Sequence, residues 1–354
     1  MLEDGRLAVV LSSSKDVINI APVASRLEAS GVEVITLNVD EVVTGAQRLI
    51  VELASDGSAT LVVGDRDFSP PAVSCAWWRK PQWFEIARPD PLTRVSIERE
   101  VTSAVEGIAA LIPAARWLNS PTALREAAIK PAQHAIAAKS GFAVAPTIAT
   151  NDWDAVHRLA SDGEIVFKSL RGSLQATTGN RISFTRPLDA EALRALASTT
   201  TAFPGLYQRR LRPVREWRVT VVGEAVLAAA IECTPGIVDW RRHQLSGDVV
   251  FVLRDLPGPW AGACSDVVRR LGLRYGSIDL IEDDGGHMHF LECNPNGQYG
   301  WLEQDLGLPV SEAIADELLR IAVTNPRSER DATPFSGSQL AADAEESTIV
   351  ATQA

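Results

Sequence analysis

The sequence predicts an α/β protein built from three packed units. The first observation behind this prediction is an alternation of short apolar strands and helical segments in the N-terminal part, which is typical of a parallel α/β unit. The second is a concentration of strand patterns after Gly205. The third is a hydrophobic content of 46% over 354 residues. A chain of this size and composition can form more than one core.

The N-terminal unit is predicted to span residues 1–118. Its strands are expected at 7–12, 32–38, 60–63 and 73–78. A helix is predicted at 23–29, where Gly31 closes it. A second, long helix is predicted at 96–111 from its amphipathic spacing, and Pro113 ends it. The unit contains no Gly-x-Gly-x-x-Gly motif, so the fingerprint of a dinucleotide-binding unit is absent.

The central unit is predicted to span residues 119–204 and to begin after the run Asn119-Ser120-Pro121. Its regular elements are expected at 122–128, 132–139 and 165–168. A further helix is predicted to start at the Asp152 cap. The segment 169–179 is small, polar and glycine-bearing. Its position between two strands favours a flexible lid.

The C-terminal unit, residues 205–325, is predicted to be the richest in strands. Its strands are expected at 206–211, 217–222, 225–231, 276–281 and 287–292. Helices are predicted near 261–271 and 311–322. From Asn325 onward the apolar periodicity stops and Pro, Ser, Ala, Asp and Glu dominate. The tail 326–354 is therefore predicted to be disordered.

Charge and cysteine usage exclude several classes of partner. The formal net charge is −11, and non-specific binding to nucleic acid or to an anionic membrane is built from basic patches. We therefore expect no nucleic-acid and no membrane partner. The four cysteines show no Cys-x-x-Cys spacing, which favours reduced thiols in a cytoplasmic protein. The first residues lack a basic segment followed by an apolar stretch, and no run approaches a membrane span.

Two apolar strands in the C-terminal unit carry oxygen-bearing side chains. Asp279 lies on one strand, and Glu292 and Asn294 lie near the end of the next. Because alternate side chains of a strand share a face, Glu292 and Asn294 are expected to point together while Cys293 enters the core. The Gly285-Gly286 turn predicts a hairpin that brings the strands together. Mg²⁺ binds one or two carboxylates and completes its shell with phosphate and water, so the three residues predict a magnesium site.

The alternative is a pair of half-buried strands with polar ends, and for Asp279 alone that is the better interpretation.

Two lysines add to the three oxygen ligands. Lys168 ends an apolar strand before the glycine-bearing segment, and Lys130 opens a helix with Pro131 in its first turn. A lysine in such a place can bind a polyphosphate while loop N–H groups close over its oxygens. For each lysine alone, a side chain reaching for water is the alternative. Together with the trio, they predict a nucleotide held between two units.

The order of these features resembles the ATP-grasp ligases. The features are Lys130, Lys168 with its glycine-bearing segment, the hinge-like run 207–211, Asp279, and Glu292-x-Asn294. The resemblance covers residues 5–325. Three segments, 76–81, 216–223 and 291–303, are similar to one subgroup, the graspetide and microviridin type of ATP-grasp peptide maturase, and 239–241 adds to the match. The run Glu-x-Asn-Pro-Asn-Gly-Gln is fairly specific to this subgroup. One departure is Arg79-Lys80, where the subgroup often has two arginines.

This resemblance implies an ATP-grasp fold with an N-terminal parallel α/β domain, a small central α+β lobe and a C-terminal strand-rich lobe. It implies ATP and Mg²⁺ as cofactors. The implied roles are Lys130 and Lys168 at the ATP phosphates, Gln208 and the backbone near Leu211 at the adenine, Asp279, Glu292 and Asn294 at Mg²⁺, and Arg218 and Arg241 at the γ-phosphate and the substrate carboxylate. A guanidinium suits both groups because it binds them with two parallel hydrogen bonds. Without the family, an outward strand arginine and a loop arginine are equally good interpretations.

The implied activity is ATP-dependent and joins Asp or Glu side chains of a ribosomal precursor peptide, with its leader and core, to Ser or Thr as esters or to Lys as amides. Two alternatives stay open. The first is a ligase that adds an amino acid to a protein tail or a small molecule, as the glutamate-ligase relatives do. The second is an ATP-binding scaffold module without activity. The resemblance is compatible with a homodimer. Precursor identity, ring number and linkage are not encoded in the sequence.

Overall fold

The structure is a computed structural model that describes residues 6–81, 86, 90–170, 175–176, 179–180, 186–189, 191–193, 204–233 and 249–324. Within these ranges the chain forms an N-terminal α/β unit, a small central lobe and a five-stranded C-terminal sheet. The predicted α/β fold class is confirmed. Arg241, most of the predicted lid and the predicted tail lie outside the described residues.

The N-terminal unit is built on a parallel sheet in the order β2-β1-β6-β7. Its elements are β1 (Arg6–Ser12), α1 (Val17–Ala29), β2 (Val32–Asn38), α2 (Val39–Thr44), β3 (Leu49–Leu53), β4 (Ala59–Val63), β5 (Arg66–Phe68), β6 (Val73–Trp78), α3 (Pro91–Leu111) and β7 (Trp117–Leu118). Successive residues of β1 enter two different cores. Val10 packs against α1, whereas Val9 packs on the side of α3. Because both faces are covered, β1 reads as a continuous apolar run.

Three elements of this unit differ from their predictions. The helix predicted from residue 23 begins at Val17, and the helix predicted from residue 96 begins at Pro91. Asp90 caps the longer helix because its side chain accepts a hydrogen bond from Thr93 N at 2.7 Å, an arrangement that favours a helix start. The strand predicted at 60–63 is not part of the parallel sheet. It belongs to β4, which pairs antiparallel with β3 and β5 in a sheet of its own.

The central lobe is an antiparallel sheet in the order β12-β9-β13-β8. Its elements are β8 (Thr147–Thr150), α6 (Trp153–Ser161), β9 (Ile165–Lys168), β10 (Gln175–Ala176), β11 (Gly179–Asn180), β12 (Arg186–Leu188) and β13 (Gly205–Arg209), and they are preceded by α4 (Pro121–Ala127) and α5 (Lys130–Lys139). The sequence predicts that the strand after Gly205 opens the C-terminal unit. The structure instead pairs β13 with β8 and β9, since a strand pattern does not specify its partners.

The C-terminal sheet is antiparallel throughout, in the order β16-β15-β14-β17-β18. Its elements are β14 (Arg215–Val222), β15 (Ala225–Cys233), β16 (Val249–Leu253), α7 (Gly258–Arg270), β17 (Tyr275–Glu282), β18 (Met288–Asn294), α8 (Gly300–Leu306) and α9 (Val310–Thr324). One face packs against α7 and also against α4 and α5, whose Ala127 and Ala137 lie in the same core as Trp217. By packing, α4 and α5 therefore belong with this sheet, although the sequence groups them with the central unit.

The N-terminal unit and the C-terminal sheet are joined by a shared core. Ile314 and Leu318 of α9 pack in one cluster with Val10 of the parallel sheet and Val222 of the antiparallel sheet. Asn119, only 4% exposed, adds hydrogen bonds between the two units. Its Nδ2 donates to Tyr275 O at 2.8 Å and Pro295 O at 2.9 Å, and its Oδ1 accepts from Arg274 N at 2.7 Å. The end of β7 is thereby fixed to the sheet that carries the polar residues discussed below.

Among the described residues, no helix combines the length and the apolar character that crossing a bilayer needs.

Candidate active site

Three charged side chains form a row across neighbouring strands of the C-terminal sheet. Arg218 on β14 pairs in register with Asp279 on β17, and Asp279 pairs with Glu292 on β18. Residues directly opposite each other have Cβ atoms about 4.5–5.5 Å apart, so the three side chains are neighbours on one face. Cys293, the next residue of β18, is 2% exposed and packs in the core on the other face. The predicted orientation of Glu292 against Cys293 is thereby confirmed.

A β-bulge places Glu292 on the polar face. Asp279 pairs with Glu292 and Leu280 pairs with Phe290, which leaves Leu291 as an extra residue on β18. Phe290 is fully buried, and simple alternation would send Glu292 to the same buried face. The extra residue shifts the phase of the strand, so that Glu292 turns to the polar face while Cys293 joins Phe290 in the core.

Both carboxylates of the row are paired with cations. Arg218 Nη1 lies 2.7 Å from Asp279 Oδ1, and the two residues are 7% and 9% exposed. Burial disfavours the charge of Arg218, but Asp279, with smaller contributions from Tyr275 and Glu292, offsets this effect, so the pKa of the arginine is raised and it stays charged. Glu292 Oε2 accepts a hydrogen bond from Lys130 Nζ, the first residue of α5. The structure thus brings Lys130, Arg218, Asp279 and Glu292 together.

The donor chemistry of this row fits magnesium. Asp279 and Glu292 present two carboxylates from adjacent strands, and the Asn294 side chain adds an amide oxygen two residues further on. That oxygen accepts from Asn296 N at 3.1 Å in an exposed position. In the described part of the chain, no group of three or more His, Cys, Asp or Glu side chains is arranged to hold a metal ion. A set of two carboxylates and one amide suits a hard cation that takes its remaining oxygens from phosphates and water.

Lys168 is the last residue of β9, in the central lobe. It is half-buried, and its charge acts on His134 of α5 together with the charges of Lys130 and Glu292. Burial is the main cause that lowers the pKa of His134, and the two lysines lower it further. The charges of the two predicted phosphate lysines therefore act on the same histidine.

The predicted adenine residues lie on the same lobe. Gln208 is on β13 next to the Lys168 strand, is 1% exposed, and donates from Nε2 to Thr147 Oγ1 at 2.9 Å. Leu211 follows β13 and is half-buried. Their contact with adenine stays a prediction. Arg241 and most of the predicted lid 169–179 lie outside the described residues, so their roles stay predictions as well.

A buried arginine of the N-terminal unit holds the loop that follows β18. Arg79 is 0% exposed. Its Nε donates to Asp16 Oδ2 at 2.6 Å, its Nη1 to Gly297 O at 2.9 Å, and its Nη2 to Gln298 Oε1 at 2.5 Å. Gln298 O in turn accepts from Arg218 Nη2 at 3.3 Å. The N-terminal unit therefore fixes the loop that helps to orient Arg218.

Gly297 is required by the close approach of this loop to the sheet. A Cβ atom at this position would collide with the Ser277 side chain and would lie 3.1 Å from Arg218 Nη2. Arg218 also has a free donor, because its Nε is buried without a hydrogen-bond partner among the described residues. An unsatisfied buried donor is costly, and an oxygen of a bound phosphate or carboxylate would satisfy it.

Lys80, next to Arg79 in the sequence, is a further buried basic residue of this region. It is 8% exposed and adopts a left-handed backbone conformation with φ of 51°. Burial lowers its pKa to about 6, and the positive charges of Arg79 and Arg218 contribute to the shift while Asp16 opposes it. Lys80 is therefore a largely neutral amine at pH 7.

Sequence reasoning missed three residues of the site: Asp16, Gln133 and His134. Asp16 is 1% exposed and forms an ion pair with Arg79. Gln133 and His134 contact the backbone of β18 from α5. The spacing of Lys130, Gln133 and His134 at i, i+3 and i+4 puts them on one helical face, which was the available signal. The partner strand is 160 residues away from Gln133 in the sequence, and no local pattern indicates it.

Solved structures supply the comparison with known proteins. The macrocyclase MdnC from Microcystis aeruginosa, bound with its precursor peptide MdnA, is 25% identical over 89% of this chain and 99% of its own, with a TM-score of 0.74. Macrocyclase MdnB from the same organism is 26% identical over 89% of this chain and 99% of its own, with a TM-score of 0.70. A ribosomal-peptide-associated ATP-grasp ligase from Chryseobacterium gregarium, in complex with ADP and with leader and core peptides, is 24% identical over 94% and 100%, with a TM-score of 0.79.

No protein-family model and no curated protein sequence matches the chain. The structural comparison covers nearly the whole of each solved chain. The fold is thus that of the ATP-grasp ligases, and the fold predicted from the resemblance is confirmed.

Replacing Lys80 by Met should change how stability depends on pH. The lysine has a pKa of about 6 in the folded protein against an ordinary value of 10.5, so between these values the unfolded chain binds more protons than the folded one. The lysine's contribution to the free energy of unfolding is therefore full above 10.5 and is lost as the pH falls towards 6. We therefore expect the free energy of unfolding of the wild type, relative to that of Lys80→Met, to rise with increasing pH in this window. The slope should be at most about 1.4 kcal/mol per pH unit.

Urea unfolding of both proteins at several pH values measures this difference. Lys139→Met is the control substitution, because Lys139 is an exposed lysine. A stability difference between the wild type and Lys80→Met that is constant across the window would contradict the assignment of a buried neutral amine.

Proposed function

We propose, from the premise that the chain is an ATP-grasp ligase related to ribosomal-peptide macrocyclases, that it forms side-chain ester or amide macrocycles in a ribosomal precursor peptide. The observation that carries the proposal is the row of Arg218, Asp279 and Glu292, with Lys130 on the last carboxylate. The structures of MdnC and of the C. gregarium ligase in complex with peptides support a peptide partner.

In this proposal separate groups of residues bind ATP, Mg²⁺ and the substrate carboxylate. Lys130 and Lys168 bind the ATP phosphates, and Gln208 with the backbone near Leu211 binds the adenine. Asp279, Glu292 and Asn294 hold Mg²⁺, which when bound neutralises charge on the phosphates. Arg218 and Arg241 bind the γ-phosphate and the substrate carboxylate. The structures of PsnB, a further ATP-grasp ligase, with Mg and ADP support the use of a nucleotide and this metal.

The reaction has two steps. In the first, a carboxylate oxygen of an Asp or Glu side chain attacks the γ-phosphorus of ATP, the bond to the bridging oxygen of ADP breaks, and an acyl phosphate forms. In the second, a Ser or Thr hydroxyl or a Lys amine attacks the acyl carbon, the carbon–oxygen bond to phosphate breaks, and inorganic phosphate and a proton leave. The protein forms no covalent bond, so positioning and charge stabilisation supply the catalysis.

Arg218 is suited to both steps by its surroundings. Its guanidinium is held on one side by Asp279 and by the backbone of Gln298, which fixes its plane before substrate arrives. Its buried Nε remains as a donor for a ligand oxygen. A preorganised, desolvated cation stabilises developing negative charge better than one that must reorganise.

The alternatives have weaker support. D-cycloserine synthetase, which is named for a small-molecule product, is similar with 16% identity and a TM-score of 0.53, and this similarity shows the fold alone. No feature of the described residues favours an amino-acid ligase over a macrocyclase. An inactive scaffold need not retain paired carboxylates and cations, and this chain has them.

A cytoplasmic location is part of the proposal, and the buried free thiols of Cys75, Cys264 and Cys293 support it. A homodimer also remains a proposal.

The direct test is the mass of a candidate precursor peptide incubated with the protein, ATP and Mg²⁺. Macrocyclisation removes one water for each link, because a carboxylate and a nucleophile of the same peptide condense. We expect products lighter by whole multiples of one water, with one ADP released per link, measured by intact mass spectrometry and an ADP assay. A product heavier by an amino-acid residue would instead establish the ligase alternative. ATP bound without ADP release in the presence of the true substrate would favour the scaffold.

Replacing either carboxylate should abolish product formation while the fold is retained. Glu292→Gln and Asp279→Asn each remove a negative charge from the metal site, and the loss of one electrostatic contact of this kind typically costs about 10²-fold or more in rate. The rate of ADP release with peptide measures the effect, and circular dichroism reports the fold. Asp283→Asn is the matched control, because Asp283 lies in the hairpin turn of the same strands and bonds His289 at 2.8 Å instead. Turnover like that of the wild type in either carboxylate variant would refute the metal assignment.

A further inference from the structure

The outer edge of β18 is bonded by side chains and by a single bridge. β18 is the last strand of the five-stranded sheet, so within the described part of the chain no further strand pairs with its outer row of backbone groups. Near its start, Ala143 takes the place of a strand, since Ala143 N donates to Met288 O at 3.0 Å and Phe290 N donates to Ala143 O at 2.9 Å. Beyond Phe290 this bridge ends, and side chains of α5 satisfy the edge.

Two side chains of α5 bind the segment that contains the bulge. His134 Nε2 donates to Leu291 O at 3.1 Å, and this carbonyl belongs to the extra residue of the strand. Gln133 binds both backbone groups of Cys293: its Oε1 accepts from Cys293 N at 3.0 Å, and its Nε2 donates to Cys293 O at 2.8 Å. Glu292, the carboxylate that the bulge turns to the polar face, lies between these two anchored residues.

A glutamine is well matched to this task. One primary amide both accepts and donates, so it reproduces the paired N–H and C=O of a neighbouring strand at one residue. The second proton of the Gln133 amide donates to Ala127 O at 2.6 Å, and the side chain is 2% exposed. Both amide protons and the amide oxygen are thus engaged, so the orientation of the side chain is fixed. A carboxylate could not donate, a thioether could do neither, and an asparagine is shorter by about 1.5 Å.

We propose that Gln133 is a positioning residue of the metal site, which sets the affinity for the divalent cation by holding Cys293 so that Glu292 and Asn294 present their oxygens together. The inference rests on the proposed function, because it takes Glu292 and Asn294 as metal ligands. Gln133 itself touches neither the metal nor the substrate. Residues that orient metal ligands from behind typically affect metal affinity by about 10–100-fold.

A purely structural role is the competing explanation. In that case Gln133 caps an edge strand, its loss lowers stability, and the metal affinity of the folded protein is unchanged. The two explanations differ in the metal affinity of the folded protein. Because a loss of folded protein also lowers turnover, metal binding must be measured directly.

The experiment compares Gln133→Met with the wild type, because methionine keeps the length and volume of glutamine without its hydrogen bonds. Binding of Mn²⁺ is measured by electron paramagnetic resonance on the full-length protein with saturating ADP, and ADP binding is measured separately without metal. Ser140→Ala is the matched control: Ser140 lies just after the same helix and its Oγ donates to Asp266 Oδ2 at 2.7 Å, so it removes a hydrogen bond from α5 that does not reach β18.

We expect the Mn²⁺ dissociation constant of Gln133→Met to rise by about 10-fold or more, while the metal-free ADP affinity of this variant and the Mn²⁺ affinity of Ser140→Ala stay within about twofold. A folded Gln133→Met protein that binds Mn²⁺ as the wild type does would overturn the proposal. If Gln133→Met does not fold, Gln133→Asn is measured in the same way, with the same rise expected and the same contrary result. A wild type that binds no Mn²⁺ with ADP would overturn both this proposal and the proposed function.

Discussion

Asp279 and Glu292 face each other across two antiparallel strands, and they do so because β18 contains one extra residue ahead of Glu292. Without the extra residue, alternation would place Glu292 on the face of Phe290, inside a core that also holds Met288. An uncompensated buried charge costs several kcal/mol, so the regular strand and this carboxylate are not compatible. The bulge resolves the conflict because the extra residue lets Phe290 and Cys293 both enter the core while Glu292 between them points to the polar face.

Such a bulge leaves backbone N–H and C=O groups that need hydrogen-bond partners, and the chain supplies partners on both edges of β18. On the inner side β17 pairs with the strand before and after Leu291. On the outer side α5 binds the carbonyl of Leu291 and both backbone groups of Cys293. Lys130, on the same helix, pairs with Glu292. One helix therefore carries the lysine that we propose binds phosphate and also supports the strand of the proposed metal ligands, so the two keep a fixed spacing.

The N-terminal unit contributes by a different route. Arg79 is buried with Asp16 at 2.6 Å and reaches the backbone of Gly297 and the side chain of Gln298. A buried ion pair is weak evidence for stability in itself. Its hydrogen bonds across the unit boundary give it a structural role, since they determine where the loop after Asn294 runs. The core shared through α9 makes the unit part of the site's framework.

The sequence predicted what depends on local pattern. The parallel N-terminal sheet, the hairpin of β17 and β18, the inward Cys293 and the ATP-grasp fold all followed from short-range periodicity, turn residues or motif order. The pairing of β13 with the central lobe and the packing of α4 and α5 on the C-terminal sheet did not, because a strand or helix pattern carries no information about its distant partner. Simple alternation also could not reveal the bulge. Gln133 and Asp16 were missed for the same reason, as their partners lie far away along the chain.

The proposed function requires that a divalent cation binds at Asp279 and Glu292. A crystal structure of the protein with ADP and Mn²⁺, with anomalous scattering at the manganese edge, is the measurement that tests this requirement. We expect an anomalous peak within coordination distance of Asp279, Glu292 and the bound ADP. A peak bound only elsewhere, with both carboxylates still on Arg218 and Lys130 beside bound ADP, would contradict it.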